Sequence, residues 1–205
     1  MLSTLLTNPL IFLVWVVSLV IALTIHEFAH AKVADTLGDP TPRANGRVTL
    51  DPRAHLDPLG TILILIVGFG WGRPVAFDPY NLRNPKRDTA LIALAGPASN
   101  IVLAIILSIL ASFLGADNLI ASIIPLMIMM NISLAIFNLV PVFPLDGEKI
   151  LQGILPAELA LEYSRAMHQY GTLILIMLLL PIAGGTSPIS ALISPAINFV
   201  SNLLL

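Results

Sequence analysis

The pentapeptide HEFAH places two imidazoles and a carboxylate at helical spacing: His26, Glu27 and His30. Residues four apart lie on one face of a helix, so both imidazoles can bind one Zn²⁺ while Glu27 points toward a zinc-bound water. The peptide continues an apolar run that begins near Pro9, and ionisable groups inside a membrane helix are costly and usually functional. The spacing therefore predicts metal-assisted hydrolysis, and the alternative is a polar cluster that only joins helices.

A third metal ligand is expected, because a catalytic zinc normally has three protein ligands and keeps its fourth position for water. The chain has no cysteine, so the ligand must be a His or a carboxylate. Asp146 is the best candidate, since Pro141 and Pro144 interrupt the preceding helix and let the chain turn toward the site. On spacing alone, Asp146 could instead belong to an Asp-Gly turn at the membrane surface.

The composition identifies an integral membrane protein. Of 205 residues, 57% are apolar and 11% are charged, and the mean hydropathy is +0.92, whereas soluble domains are about 45–50% apolar. This length allows one domain of five or six membrane segments, each of about 20 residues. The net charge of −2 gives no case for nucleic-acid binding.

Six apolar runs are the candidate membrane segments, at about 8–34, 59–71, 88–114, 119–140, 169–183 and 188–205. The second run is too short for a full crossing and contains three glycines, so it predicts a re-entrant or half-depth element. No Lys or Arg precedes the first run and no small-residue cleavage pattern follows it. We therefore expect that run to be retained and not removed as a signal peptide.

All ten Lys and Arg residues fall in three stretches, 32–53, 73–87 and 149–165. The positive-inside rule assigns these stretches to the cytoplasm. The first apolar run then begins outside, and HEFAH lies near its cytoplasmic end. We expect a multi-pass protein of the cell membrane whose active site faces the cytoplasmic side.

Two short stretches, 46–50 and 73–77, show the alternation of β-strands and are each followed by Asp-Pro. Non-helical backbone at membrane depth must be buried or line a watery cavity, so these strands would mark a polar hollow near the metal. Either strand could hold an unwound substrate by strand addition. Alternatively, both strands only cap the cavity.

The expected fold is thus an all-α polytopic membrane protein, in which five to six membrane segments surround a zinc site. A short membrane-associated β element and a re-entrant segment complete it. We expect residues 1–205 to form a single membrane-embedded domain. Its catalytic core would occupy about 8–150, followed by accessory C-terminal helices at about 156–205.

The motifs resemble those of the site-2 protease family of intramembrane zinc metalloproteases, peptidase family M50. HExxH is present at 26–30, and the family's Asn-Pro-Asp-Gly motif is present as NLVPVFPLDG at 138–147. The family's Ala-Gly-Pro-x-x-Asn element occurs at 95–100. The resemblance covers most of residues 20–150. It is closest to short forms of the family, because no PDZ-like insert separates the third and fourth apolar runs.

The resemblance implies three ligands for one Zn²⁺ per chain: His26, His30 and Asp146. Glu27 would be the general base for a zinc-activated water that attacks a peptide bond. Asn138 is the leading candidate for a donor to the peptide oxygen or for another substrate contact, and Asn100 is the weaker one. Both residues could instead form hydrogen bonds between helices.

The resemblance also implies the partners: a transmembrane or membrane-anchored protein substrate, the lipid bilayer and a regulatory membrane protein. Without a PDZ-like domain, selectivity would come from the membrane region or from that regulator. One alternative is a zinc or proton transporter, since His and Asp in membrane helices also line ion paths. Transport gives no reason for Glu27 between two ligands. Another is a catalytically inactive membrane scaffold, which the complete catalytic set disfavours.

Overall fold

The computed structural model describes four ranges of the chain: 7–67, 70–114, 119–181 and 185–205. Their regular secondary structure is helical. In chain order the helices are α1 (Pro9–Leu37), α2 (Thr41–Ala44), α3 (Pro58–Val67), α4 (Pro85–Ser112), α5 (Leu119–Asn138), α6 (Asp146–Ile154), α7 (Ala157–Leu179) and α8 (Pro188–Leu204). The all-α prediction is confirmed for these ranges.

α1 carries HEFAH in its second half and has a defined cap at each end. The Asn8 side chain accepts a hydrogen bond from the N–H of Ile11 at 3.1 Å, which satisfies one free donor of the first turn. Gly38 ends the helix with φ 111°, a left-handed conformation that favours glycine. The helix therefore continues about two turns beyond HEFAH and ends sharply.

The other predicted segments are helical with shifted ends. α7 begins well before the predicted start near 169, because its first half is polar and hydropathy detects only its second half. α6 is not predicted at all, since it has only nine residues and a polar face. The middle of the second run, 68–69, and the end of the fifth, 182–183, lie outside the described residues.

Within the described ranges, α1 and α4 are long and apolar enough to cross a membrane. Two shorter apolar helical stretches are Ile123–Asn138 and Pro188–Leu204. α3 has ten residues, which is too short to cross. Membrane character is thus supported, and the count of five to six segments stays a prediction.

α4 is the central helix and packs against α1, α5 and α6. An apolar core lies between α4 and α5, and α8 packs on it. A second core joins the non-helical segment before α6 to α7 and α8. Together these contacts hold α1, α4 and the start of α6 side by side.

The prediction of two β-strands is wrong. Neither 46–50 nor 73–77 forms a strand, and one isolated antiparallel bridge pairs Leu56 with Gly72. Pro74 has no N–H to contribute to a ladder. The two segments are instead joined by the Arg47 guanidinium, which donates to backbone carbonyls of the second segment.

The loop after α1 is tied to the loop before α4 by Asp39, which is fully buried. Its carboxylate accepts hydrogen bonds from the N–H and hydroxyl of Thr41, at 3.1 and 2.6 Å. It also accepts from the Asp78 N–H at 2.7 Å and from Asn81 Nδ2 at 2.8 Å. Burial raises the pKa of Asp39, but these donors outweigh burial and the pKa is lowered.

Replacing Asp39 by Ala should lower the unfolding free energy by about 2 kcal/mol or more, because the four hydrogen bonds that its buried carboxylate accepts are lost. Thermal unfolding in detergent measures the change. Asp51→Ala is the matched control, since its exposed carboxylate pairs with the exposed Arg53, and its unfolding temperature should fall much less. Equal shifts for the two variants would contradict this account of the loop.

Candidate metal centre

The two histidines of α1 and the first residue of α6 converge at one point. His26 Nε2 lies 3.0 Å, and His30 Nε2 lies 3.2 Å, from the same Oδ2 atom of Asp146. Both histidines are buried, and Asp146 is nearly so. In the described part of the chain, they form the one cluster of three or more His, Cys, Asp or Glu residues able to hold a single ion.

The donor set and its spacing fit zinc. Two ligands at about 2.0–2.1 Å from a tetrahedral ion lie about 3.3 Å apart, and the Nε2 to Oδ2 distances here are 3.0 and 3.2 Å. Two imidazole nitrogens and one carboxylate oxygen also leave a fourth position open, as in catalytic zinc sites. The structure thus brings the three predicted ligands together, and their role as ligands stays a prediction.

Each imidazole is fixed by a hydrogen bond on the side away from Asp146. His30 Nδ1 donates to the carbonyl oxygen of Ile92 at 2.6 Å, and because a carbonyl only accepts, Nδ1 carries the proton. His26 Nδ1 donates to Asn100 Oδ1 at 2.7 Å. In both rings Nε2 is therefore the atom left for a metal, and the Nδ1 hydrogen bond sets the ring orientation.

Asn100 lies behind His26 and does not line the cavity in front of it. The side chain is fully buried, and its Nδ2 donates to the Ala22 carbonyl and to Asn131 Oδ1, both at 2.9 Å. With both N–H groups engaged, no donor remains for a substrate oxygen. Asn100 therefore joins α1, α4 and α5, which is the role between helices that the sequence left open.

Gly96 allows α4 to approach the imidazoles closely. A Cβ atom at this position would lie 2.3 Å from His30 Nε2 and 2.7 Å from His26 Cε1, inside van der Waals contact. Gly147, which follows Asp146, is also closely packed: a Cβ there would lie 2.3 Å from the Leu139 carbonyl oxygen. Glycine is thus required by close packing in two of the three motifs.

A cavity of about 740 Å³ lies in front of the metal centre. Glu27 and Asn138 line it together with the three predicted ligands. Most of the remaining wall is apolar and comes from α1, α5, α7, α8 and the segment 70–77. The expected polar hollow is therefore polar mainly around the metal centre.

Asn138 is the last residue of α5, and its side chain is half-buried in the cavity wall. Its Nδ2 donates to the Leu134 carbonyl of the same helix at 3.0 Å. Because the amide has a second N–H, this hydrogen bond leaves Asn138 able to donate to another acceptor.

Glu27 faces a buried cation that the sequence analysis does not single out. Arg47 Nη2 lies 3.9 Å from Glu27 Oε2, and Arg47 is 4% exposed. Burial lowers the pKa of the Arg47 guanidinium, and the Glu27 carboxylate opposes that effect. No local pattern marks Arg47. Asn131 does carry a signal, because a polar amide inside an apolar helix usually bonds to a neighbouring helix.

Comparison with known proteins points to one family. The model of peptidase family M50 matches residues 114–182. The chain is 38% identical over 172 residues to the "Putative zinc metalloprotease YwhC" of Bacillus subtilis, covering 80% of this chain and 78% of that protein. No solved structure gives a significant match.

More distant relatives carry similar names. The chain is 30% identical over 181 residues to the "Putative zinc metalloprotease Rip2" of Mycolicibacterium smegmatis, covering 83% of this chain and 68% of that protein. It is 25% identical over 178 residues to the "Zinc metalloprotease MJ0392" of Methanocaldococcus jannaschii, covering 86% and 45% respectively. On these similarities and its motifs, the chain belongs to peptidase family M50, the site-2 protease family.

Proposed function

We propose that this zinc metalloprotease is an intramembrane endopeptidase, which hydrolyses peptide bonds in or near transmembrane segments of other membrane proteins. The observation that carries the proposal is the convergence of His26, His30 and Asp146 in the wall of a largely apolar cavity. Glu27 lines the same cavity. A hydrolytic centre in apolar surroundings suits a substrate whose side chains are themselves apolar.

His26, His30 and Asp146 would hold one Zn²⁺ through two Nε2 atoms and a carboxylate oxygen. When bound, the ion supplies Lewis-acid activation of water and of the scissile carbonyl. Glu27 would take the proton of the attacking water and return it to the leaving amine. Its place in the cavity wall, next to His26 in the same helix, gives it access to such a water.

The two asparagines would have different tasks. Asn138 would donate a hydrogen bond to the peptide oxygen as negative charge develops there, since it lines the cavity and keeps a second N–H. Asn100 would not meet the substrate. It would hold His26 in the orientation that presents Nε2 to the metal.

The segment 73–77 is the proposed contact for the substrate backbone. Val75 and Phe77 line the cavity, and no described residue accepts a hydrogen bond from the N–H of either one. A transmembrane substrate satisfies its own backbone while helical and must unwind before attack. The free N–H groups could then pair with the extended stretch, although 73–77 itself is no strand.

The proposed setting is the cell membrane, with the metal centre toward the cytoplasmic side. The charge distribution supports this orientation, because all Lys and Arg residues lie in stretches assigned to the cytoplasm. Lipid would surround the exposed apolar faces of the long helices. A regulatory membrane protein would contribute to selectivity, because no PDZ-like insert separates the third and fourth apolar runs.

Replacing Glu27 by Gln should leave zinc bound and lower cleavage of a reporter transmembrane substrate at least about 100-fold, because an amide cannot accept the water proton. Asp146→Ala removes a ligand and should lose both zinc and cleavage. Zinc content and cleavage in proteoliposomes are measured on the same purified samples. Wild-type turnover by Glu27→Gln would eliminate Glu27 as the base, and zinc flux without cleavage would indicate a transporter.

Asn100→Ala and Asn138→Ala should affect different quantities. Asn100→Ala should weaken zinc binding about 10- to 100-fold, because His26 loses the partner of its Nδ1. Asn138→Ala should leave zinc affinity unchanged and lower kcat about 100- to 1,000-fold, as for a lost donor to the peptide oxygen. Zinc titration and steady-state kinetics separate the two effects. Equal loss of zinc affinity in both variants would contradict this division.

Val75→Pro should lower kcat/KM about tenfold with zinc content intact, because the substrate loses a backbone donor. Val75→Ala is the matched control: it keeps the N–H and removes only side-chain methyl groups, so its kcat/KM should stay near wild type. The same fall in both variants would attribute the effect to side-chain packing. Unchanged turnover by the folded Val75→Pro protein would exclude backbone pairing at this position.

A further inference from the structure

Arg47 is a buried cation in the loop that follows α2. Its Nη1 donates to the Pro74 carbonyl oxygen at 3.3 Å, and its Nη2 donates to the carbonyl oxygen of Arg73. The same Nη2 lies 3.9 Å from Glu27 Oε2. Its Nε is buried and has no hydrogen-bond partner in the described part of the chain.

These contacts offset only part of the cost of burying Arg47. Removing a guanidinium from water costs several kcal/mol, and the cost is offset only when its donors are well satisfied. Here the Nε donor is unsatisfied, Nη1 and Nη2 each donate to a neutral carbonyl, and the Glu27 carboxylate lies beyond hydrogen-bond distance. The charge therefore calls for another explanation.

Glu27 supplies one. Among the described residues, Arg47 is the one Lys or Arg within ion-pair distance of its carboxylate, and no hydrogen bond to that carboxylate is formed. A glutamate side chain has three rotatable bonds, so an unheld carboxylate occupies several positions. The fixed charge of Arg47 favours the positions that face it.

One of the two carbonyls that anchor Arg47 belongs to a residue of the cavity wall, and the other belongs to the residue before it. Pro74 lines the cavity, as Val75 does next to it. The same segment is also held by a hydrogen bond from the Arg73 N–H to the His55 carbonyl oxygen, at 2.8 Å. Arg47 is thus bound to the wall segment and lies within ion-pair distance of Glu27.

We propose that Arg47 is a positioning residue, anchored on the carbonyls of Arg73 and Pro74, that sets the location of the Glu27 carboxylate relative to the cavity wall. A substrate seated against that wall then presents its peptide bond to a base that is already in place. The proposal rests on the proposed role of Glu27. It predicts an effect on the chemical step, since a small displacement of a reacting group can cost about 100-fold in rate.

The test compares Arg47→Met, Arg47→Lys and the wild type on a reporter transmembrane substrate in proteoliposomes. Arg47→Met should lower kcat per folded protein about 10- to 100-fold, with KM within about threefold and with zinc content per folded protein near wild type. Arg47→Lys should recover part of kcat, because an ammonium group keeps the charge but cannot bridge two carbonyls as a guanidinium does. Arg43→Met is the matched control, since Arg43 pairs with Asp35 on the surface, and its kcat should not change.

A rise in KM with wild-type kcat would overturn the proposal, because Arg47 would then only shape the wall. Loss of activity in proportion to loss of folded protein would also overturn it. If Arg47→Met does not fold, Arg47→Gln replaces it, and equal kcat for Arg47→Gln and Arg47→Lys would be the contradicting result. Glu27→Gln is assayed in parallel: equal cleavage by wild type and Glu27→Gln would overturn the role of Glu27 and this inference with it, whereas no cleavage by the zinc-loaded wild type would overturn the proposed function itself.

Discussion

The hydrogen bond from His26 to Asn100 is the constraint on which the rest of the metal centre depends. Polar groups within a hydrocarbon layer must find partners inside the protein, because no water is present to satisfy them. Asn100 meets this demand with three hydrogen bonds, which reach α1 twice and α5 once. Both N–H groups of this amide donate and its oxygen accepts. The three helices α1, α4 and α5 must therefore keep one relative position for all three hydrogen bonds to form. Gly96, one turn earlier in α4, lets the helices come close enough for that position.

The local parts of the site could be predicted from sequence, because they depend on helical periodicity. His26 and His30 share a face of α1 as their spacing requires. The contact between Asp146 and His26 joins residues that are 120 positions apart in the chain, so helical periodicity cannot predict it. Only the motif that contains Asp146 made its assignment specific. The strand prediction failed because alternation over five residues says nothing about pairing. At 73–77 the backbone contacts the Arg47 side chain, and Pro74 lacks the N–H for a ladder.

Other features of the structure could be predicted from the sequence only in part or not at all. Hydropathy located most of the helices but not α6, which is short and amphipathic, nor the polar first half of α7. Arg47 is one of ten cations in the chain, and only the tertiary structure distinguishes it by burial and by its distance from Glu27. The apolar cavity wall likewise emerges only when α1, α5, α7 and α8 are assembled. In such surroundings the few polar groups interact strongly, since water screens them little.

In the proposed membrane setting, the length of α1 sets the depth of the metal centre. Counting from Pro9 at about 1.5 Å per residue, His26 lies about 25 Å along the helix axis, which is close to the full hydrocarbon thickness of about 30 Å. With Pro9 at the outer interface, water would have to cross only a few ångströms from the nearer interface to reach the imidazoles. A client helix would likewise need to fray only its terminal turns, where backbone groups already lack partners within the helix. Scission near the boundary of the bilayer avoids opening a helix at its centre, where each exposed peptide group would face hydrocarbon.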